Sequence, residues 1–408
     1  MKKLIILAIV TLLISEISPL KGQNISDNLK TIQLSSKSHR YTPFLKWGEV
    51  LEVSFDDLDA DQKDYYYRIR HMNFDWSPSL LRPSEYISGY QRDRIRNFEN
   101  SQNTLQFYTH YKFSLPNQNT QITRTGNYLI EILDDYDEVV VSRRISIYQE
   151  QVVINANVFK SREIQYINSK QAVQFQIYYP NIVINEPKRD LKVVLMKNGD
   201  WSSKITNLKP QYLKKQELSY KYDKEASFFA GNEYLNFDSK YLRTSNSNIN
   251  EVRLGPLLYQ TILYPNIDRS KLVYTYFPDI NGGFQVQMNN ARDSELSADY
   301  TEVHFQLNIP ELKDEEIHIT GAYNNFHATD ENKMFYNKEI NAYQAQILFK
   351  QGFYNYEYRV QGALNHQISG DFYQTENEYQ VLVYYQPFGN RYYEIIGLGQ
   401  ASSVNLKN

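Results

Sequence analysis

The chain has 408 residues, with 44 basic and 47 acidic side chains for a net charge of −3, and no cysteine. Mild acidity gives no electrostatic case for binding nucleic acid, and the lack of Cys excludes disulfides, thiol chemistry and lipid attachment at a cysteine. The 36 Tyr and 20 Phe favour strands and suit surfaces that bind proteins or sugars, because Tyr is apolar in its body and polar at its tip.

Lys2 and Lys3 precede an apolar run over 4–14, followed by a polar stretch to about residue 22. This is the order of a Sec-type signal peptide, and the run is too short to span a membrane. Residues 1–22 are therefore expected to be a removable signal peptide, and the mature chain a soluble, non-lipidated periplasmic protein. No later apolar run has membrane-spanning length. Outward strand positions carry too many Lys, Arg, Glu and Gln for a lipid-facing barrel.

Residues 23–150 read as one β-sandwich of the immunoglobulin or fibronectin kind. Residues 23–40 look like a loose polar leader. Strands follow at 50–55, 65–72, 106–115, 128–133 and 138–147, separated by turn signals such as Gly126-Asn127 and Asp134-Asp135. In the second of these, Tyr65, Tyr67 and Ile69 point to one face and Tyr66, Arg68 and Arg70 to the other. Asp57, Asp59 and Asp61 have the spacing of the first ligands of a calcium loop. However, Gln62 stands where such a loop needs Gly, and Arg68 where it needs a bidentate Glu. A solvated acidic turn is the better account. The segment 78–97 reads as a long loop in which Arg92, Arg94 and Arg96 alternate. It is either a docking surface, since Arg offers a bidentate fork to carboxylates, or a solvated face.

A second β domain is expected over 151–294, with strands at 152–160, 172–179, 191–197, 218–222, 234–237, 257–263 and 283–288. Pro180 and Pro187 fall in its connections. The string TYFPDINGGF (275–284) holds a strong turn at 279–282, and Tyr276 and Phe277 could present an aromatic tip, although turn chemistry alone explains it. A third sandwich is expected over 295–385, with alternation at Val303, Phe305 and Leu307, then Ile317 and Ile319, a hairpin through Gly352, and a last strand at Val381 and Val383. Residues 386–408 read as a polar tail with little to bury. No stretch outside the leader has helical period and length, so the fold class is all-β, a tandem of β-sandwiches.

The seven histidines, at 39, 71, 110, 304, 318, 327 and 366, show no zinc-site spacing. There is no nucleophile elbow, phosphate loop or dinucleotide glycine pattern. No catalytic residue, metal or cofactor is expected, and the chain reads as a non-enzyme.

The strings FDDLDADQKDYYYRIRHMNFDW (55–76), FENSQNTLQFYTHYKFSLPN (98–117), GNYLIEILDDYDEVVVSRR (126–144), KEASFFAGNEYLNFDSK (224–240), TYFPDINGGF and SGDFYQTENEYQVLVYYQPFG (369–389) resemble signatures of the type IX secretion system plug family of Bacteroidetes, formerly a domain of unknown function. The resemblance covers nearly the whole mature chain. It implies a non-enzymatic protein on the periplasmic side of the outer membrane, partnered with the system's very wide β-barrel translocon and closing it when no substrate passes. Outer-membrane barrels reach about 36 strands, a width that would leak if left open. Reversible closure implies a polar-rimmed interface with aromatic and Arg anchors. The matched strings look like fold determinants, so no binding residues are carried over.

A second resemblance lies in the third unit. IHITGAYNNF (317–326), Met334, Tyr343 and GFYNYEYRV (352–360) resemble the early-set sandwich of starch- and glycogen-binding modules. Those modules stack aromatic rings on sugars beside this turn. Here Asn324-Asn325-Phe326 fills the turn, so stacking on Phe326 or the tyrosines makes an envelope-glycan module the alternative function. The better account is that these residues define the fold and carry no ligand, since a shared fold does not carry its function along.

Overall fold

Alternation of apolar and polar side chains sets each strand, and long-range pairing gathers the strands into three sandwiches. The computed structural model describes residues 28–362 and 368–407. The expected signal peptide lies outside these.

In the first sandwich, a four-stranded sheet runs in the order Leu29–Ser35, Leu51–Asp57, Thr109–Leu115, Asn97–Asn100. It faces a five-stranded sheet of Phe44–Lys46, Val139–Tyr148, Gly126–Leu133, Tyr66–Met72 and Arg92–Arg94. The alternation in Tyr66–Met72 is as expected, with Tyr67 and Ile69 almost wholly buried between the sheets. Two expectations fail here. Residues 29–35 are not a loose leader but an edge strand, because Leu29 and Ile32 fill the core beside Leu51–Asp57. The segment 78–97 is not a plain loop. It holds a helical turn at Pro83–Tyr86 and short strands at Ile87–Gly89 and Arg92–Arg94.

The middle sandwich is discontinuous. One sheet is Val153–Lys160, Lys170–Tyr178, Glu217–Tyr220 and Tyr212–Lys214, with Ser227–Phe229 also on Lys170–Tyr178. The other runs Asp200–Ile205, Leu191–Lys197, Glu378–Tyr385, Glu394–Ser402. The strand holding Val381 and Val383 therefore belongs to this sandwich, not to the third. The expected polar tail supplies the next strand, with Ile395 and Ile396 fully buried. That strand was hidden because Gly397 and Gly399 take the positions facing Val152 and Ile154. A Cβ on Gly399 would meet Ile154 Cγ2 at 2.4 Å, so the apolar partner sits on the other strand and the two-residue period does not show.

The third sandwich is inserted between the two halves of the middle one. Leu235–Asp238, Gly352–Gly362 and Phe284–Val286 form one sheet, with Glu315–Thr320 on the far half of Gly352–Gly362. The six-stranded partner includes Ile249–Leu254, Tyr259–Leu263, Tyr300–Asn308, Ala342–Lys350 and Phe335–Asn337. The strands between 235 and 286, expected in the second domain, thus belong to the third. The all-β sandwich class holds, but the arrangement is nested rather than serial.

The first and middle sandwiches share a buried apolar seam. Trp76 and Trp201 meet edge to face at 4.9 Å, flanked by Phe44, Met72, Met196 and Tyr384. The Tyr384 hydroxyl donates to Asn127 Oδ1 at 2.9 Å.

Candidate functional site

The first and third sandwiches are joined by a buried ionic lock. Asp56, at the end of Leu51–Asp57, receives Lys350 Nζ at 2.7 Å and the Tyr300 hydroxyl at 2.7 Å, both from the third sandwich. His110, on the neighbouring strand, lies with Nδ1 2.6 Å from the same carboxylate. Burial alone would push Asp56 up, but the Lys350 ammonium and the His110 hydrogen bond outweigh it and hold the carboxyl below its usual range. Burial likewise pulls His110 down, while hydrogen bonds to Asp56 and Glu295 reverse this and raise it. The Lys350 ammonium also lies 4.0 Å from the Tyr108 ring centre and donates to the Glu295 carbonyl at 2.6 Å. Around the lock, Asp299 accepts the backbone N–H of Leu105 at 2.7 Å and of Gln106 at 3.1 Å.

Arg92, Arg94 and Arg96 are surface residues of the first sandwich, and each is engaged within the chain. Arg92 lies 3.4 Å over the Tyr66 ring and pairs with Asp137 at 2.7 Å. Arg94 pairs with Asp64. Arg96 grips Asp93 with two bonds of 2.9 and 3.1 Å. The register that sets Tyr67 opposite Asp93 and Arg68 opposite Arg92 builds this charge-balanced face.

The acidic turn after Asp56 is not wholly solvated. Asp57 is buried, 3.0 Å from Lys63 and accepting the Tyr65 hydroxyl at 2.9 Å. Among the described residues, no group of three or more His, Asp or Glu is arranged to hold a metal ion.

Tyr276 and Phe277 lie on the segment 268–283, which braces both crossings of the chain between the middle and third sandwiches. Glu233, on the outward crossing, accepts the Tyr274 hydroxyl at 2.5 Å and the Glu376 N–H at 3.1 Å. Asp279 accepts the Tyr234 N–H at 2.6 Å. Burial pushes the Asp279 carboxyl up to about 6. Tyr276 is half exposed, with its hydroxyl 3.2 Å from Glu376. Phe277 is half-buried with the Arg269 guanidinium 5.9 Å over its ring. Sequence reasoning missed the most exposed apolar residue of this segment, Val273, 90% exposed; only the anchoring of its neighbours Tyr274 and Asp279 shows that it stands on a fixed tip.

Phe326 is a correction. It is 6% exposed, held at φ 57°, with its ring 6.4 Å from Tyr234 and 5.7 Å from the Arg359 guanidinium. A ring enclosed in this way presents no exposed platform on which a sugar could stack at the surface. The tight turn at Gly282 (φ 82°), where a Cβ would meet the Phe326 ring at 2.8 Å, closes it in.

Two concavities stand out. A cavity of about 250 Å³ lies where the three sandwiches meet, lined by Ile32, Arg144, Trp201, Phe284, Phe326 and His327. An open groove of about 980 Å³ lies on the outer face of the six-stranded sheet of the third sandwich. Among the described residues, no helix is long and apolar enough to cross a membrane.

The profile of the Type 9 secretion system plug protein 1st domain matches residues 29–149, the span of the first sandwich. No curated protein matches the chain. Among solved structures, the crystal structure of a hypothetical protein from Parabacteroides merdae ATCC 43184 superposes with a TM-score of 0.89 at 31% identity, covering 93% of this chain and 99% of that one. The nested three-sandwich arrangement is therefore common to both proteins, and the chain belongs to the type 9 secretion system plug protein family, whose first domain is its N-terminal sandwich.

Proposed function

We propose that the protein is a non-enzymatic plug in the periplasm, seated on the outer-membrane barrel of the secretion system and closing it when no substrate is passing. The observation that carries this reading is the family match at residues 29–149. The architecture supports it. A closure device must resist deformation, and here the apolar Trp76–Trp201 seam and the Asp56–Lys350 lock fix all three sandwiches against one another. The tip with Leu272, Val273 and Tyr276 is the apolar patch best placed to anchor on a partner, since it is exposed yet tied to both crossings. Aromatic and apolar anchors in a polar rim suit binding that must be reversed. The three arginines, each spent on a carboxylate of the same chain, contribute little to such an anchor. The glycan reading through Phe326 loses its platform with the burial of that ring.

The test is a mild-crosslinking pull-down of the tagged protein from envelope membranes, with secretion running and with it blocked. Recovery of one very large outer-membrane barrel, in amounts that change with substrate occupancy, is the expected result. A protein that stays free of any barrel in both states overturns the reading.

A further inference from the structure

The outer face of the six-stranded sheet carries two rows of side chains that cross neighbouring strands in register. Ile262, His304 and Gln346 form one row; Gln306, Gln344 and Phe335 form the other. Both rows line the groove of about 980 Å³, at the upper end of the size range of ligand sites. Phe335 is 66% exposed at one edge. The amides are partly pre-oriented: Asn337 Nδ2 donates to Gln344 Oε1 at 3.0 Å, and Gln306 Nε2 donates to Asn308 Oδ1 at 2.8 Å. Gln306 thus keeps carbonyl capacity and Gln344 its amino group, while Gln346 projects into solvent.

We propose that this groove binds a neutral oligosaccharide chain, with Phe335 as the ring platform and Gln306, Gln344 and Gln346 as the hydroxyl readers. This is independent of the plug reading. Side-chain amides both donate and accept, as sugar hydroxyls do. An exposed ring supplies the apolar surface that the C–H face of a hexose seeks. The charges fit an uncharged ligand: of the lining residues Arg253 and Lys338 stand against Glu339, with Glu302 just outside the lining, 3.5 Å from His304 and linked to Arg253 through Gln260, and burial holds the His304 imidazole below its usual range. Tyr300–Asn308 is already paired on both sides, so recognition on the face falls to side chains, and a peptide strand could add only at the sheet edges, on Phe335–Asn337 or Ile249–Leu254.

Isothermal titration of the mature chain with maltoheptaose, cellohexaose, xylohexaose and mannohexaose tests the site. At least one should bind, and Phe335→Ala should weaken it about three- to tenfold. Gln346→Glu should weaken it as well, and Phe388→Ala, at an 88% exposed position in the middle sandwich, should leave it unchanged. Because Phe335 and Gln346 are exposed, these variants keep the fold, which circular dichroism verifies. Binding by none of the four glycans overturns the proposal, as does binding insensitive to Phe335→Ala. Phe335-dependent capture of an unfolded polypeptide, with no glycan binding, overturns it in favour of a peptide groove.

Discussion

Lys350 and Asp56 are 294 residues apart, and each side chain is 1% exposed. Removing Lys350 leaves the buried Asp56 carboxylate with His110 as its remaining cationic partner, at a cost of up to about 3–5 kcal/mol. Lys350→Met should therefore lower unfolding stability by about that amount, and Asp56→Asn added to it should restore part of the loss; urea denaturation reads both. A Lys350→Met protein as stable as wild type would show that the Asp56 carboxyl does not depend on Lys350 at this seam. His110 gives the pH dependence. Its folded pKa lies above the ordinary 6.5, so its contribution is full below that value and fades as pH rises through the folded pKa. The stability gap between wild type and His110→Gln should be widest below about pH 6.5 and narrow at alkaline pH; a constant gap would show that His110 does not titrate across this range. Little of this was legible in the sequence. Asp56 stands in a string of acids, and Lys350 ends an ordinary strand. What singles them out is that Tyr300 and Lys350 are brought to Asp56 from another sandwich.

At the scale of elements, local alternation placed most strands correctly, because a strand's inward face is written into residues two apart. It failed where the inward positions hold no side chain. Gly397 and Gly399 in Glu394–Ser402 are glycines because Val152 and Ile154 fill the space above them. Gly399→Val should cost about 1–3 kcal/mol by overpacking, seen as a lower Tm of the whole chain. If the protein were unchanged, the strand would not be seated against Ile154. The edge strand Leu29–Ser35 was missed for a related reason: its register shifts between Lys30 and Gln33, where Thr31 turns to φ 51°, and that irregularity breaks the two-residue period.

At the scale of the whole molecule, nesting couples the parts. Unfolding the third sandwich would strain both crossings, and unfolding the middle one would free the crossings that Glu233 and Asp279 hold. The first sandwich is bound to both others by the tryptophan seam and the ionic lock. Calorimetry of the chain should show one transition, with calorimetric and van't Hoff enthalpies in agreement. Two resolved transitions would mean that a sandwich opens independently.

The sequence by itself determined the all-β class, the position of most strands and the likeness to the plug family, because each of these rests on residues near one another in the chain. The tertiary structure alone decided which sheet each strand joins. Val193 pairs with Val383 across the whole inserted sandwich, and one edge of a strand pattern looks the same whichever partner it meets. The buried lock, the enclosed Phe326 and the amide-lined groove all follow from that pairing, since each is made of side chains that only the completed sheets bring together or cover.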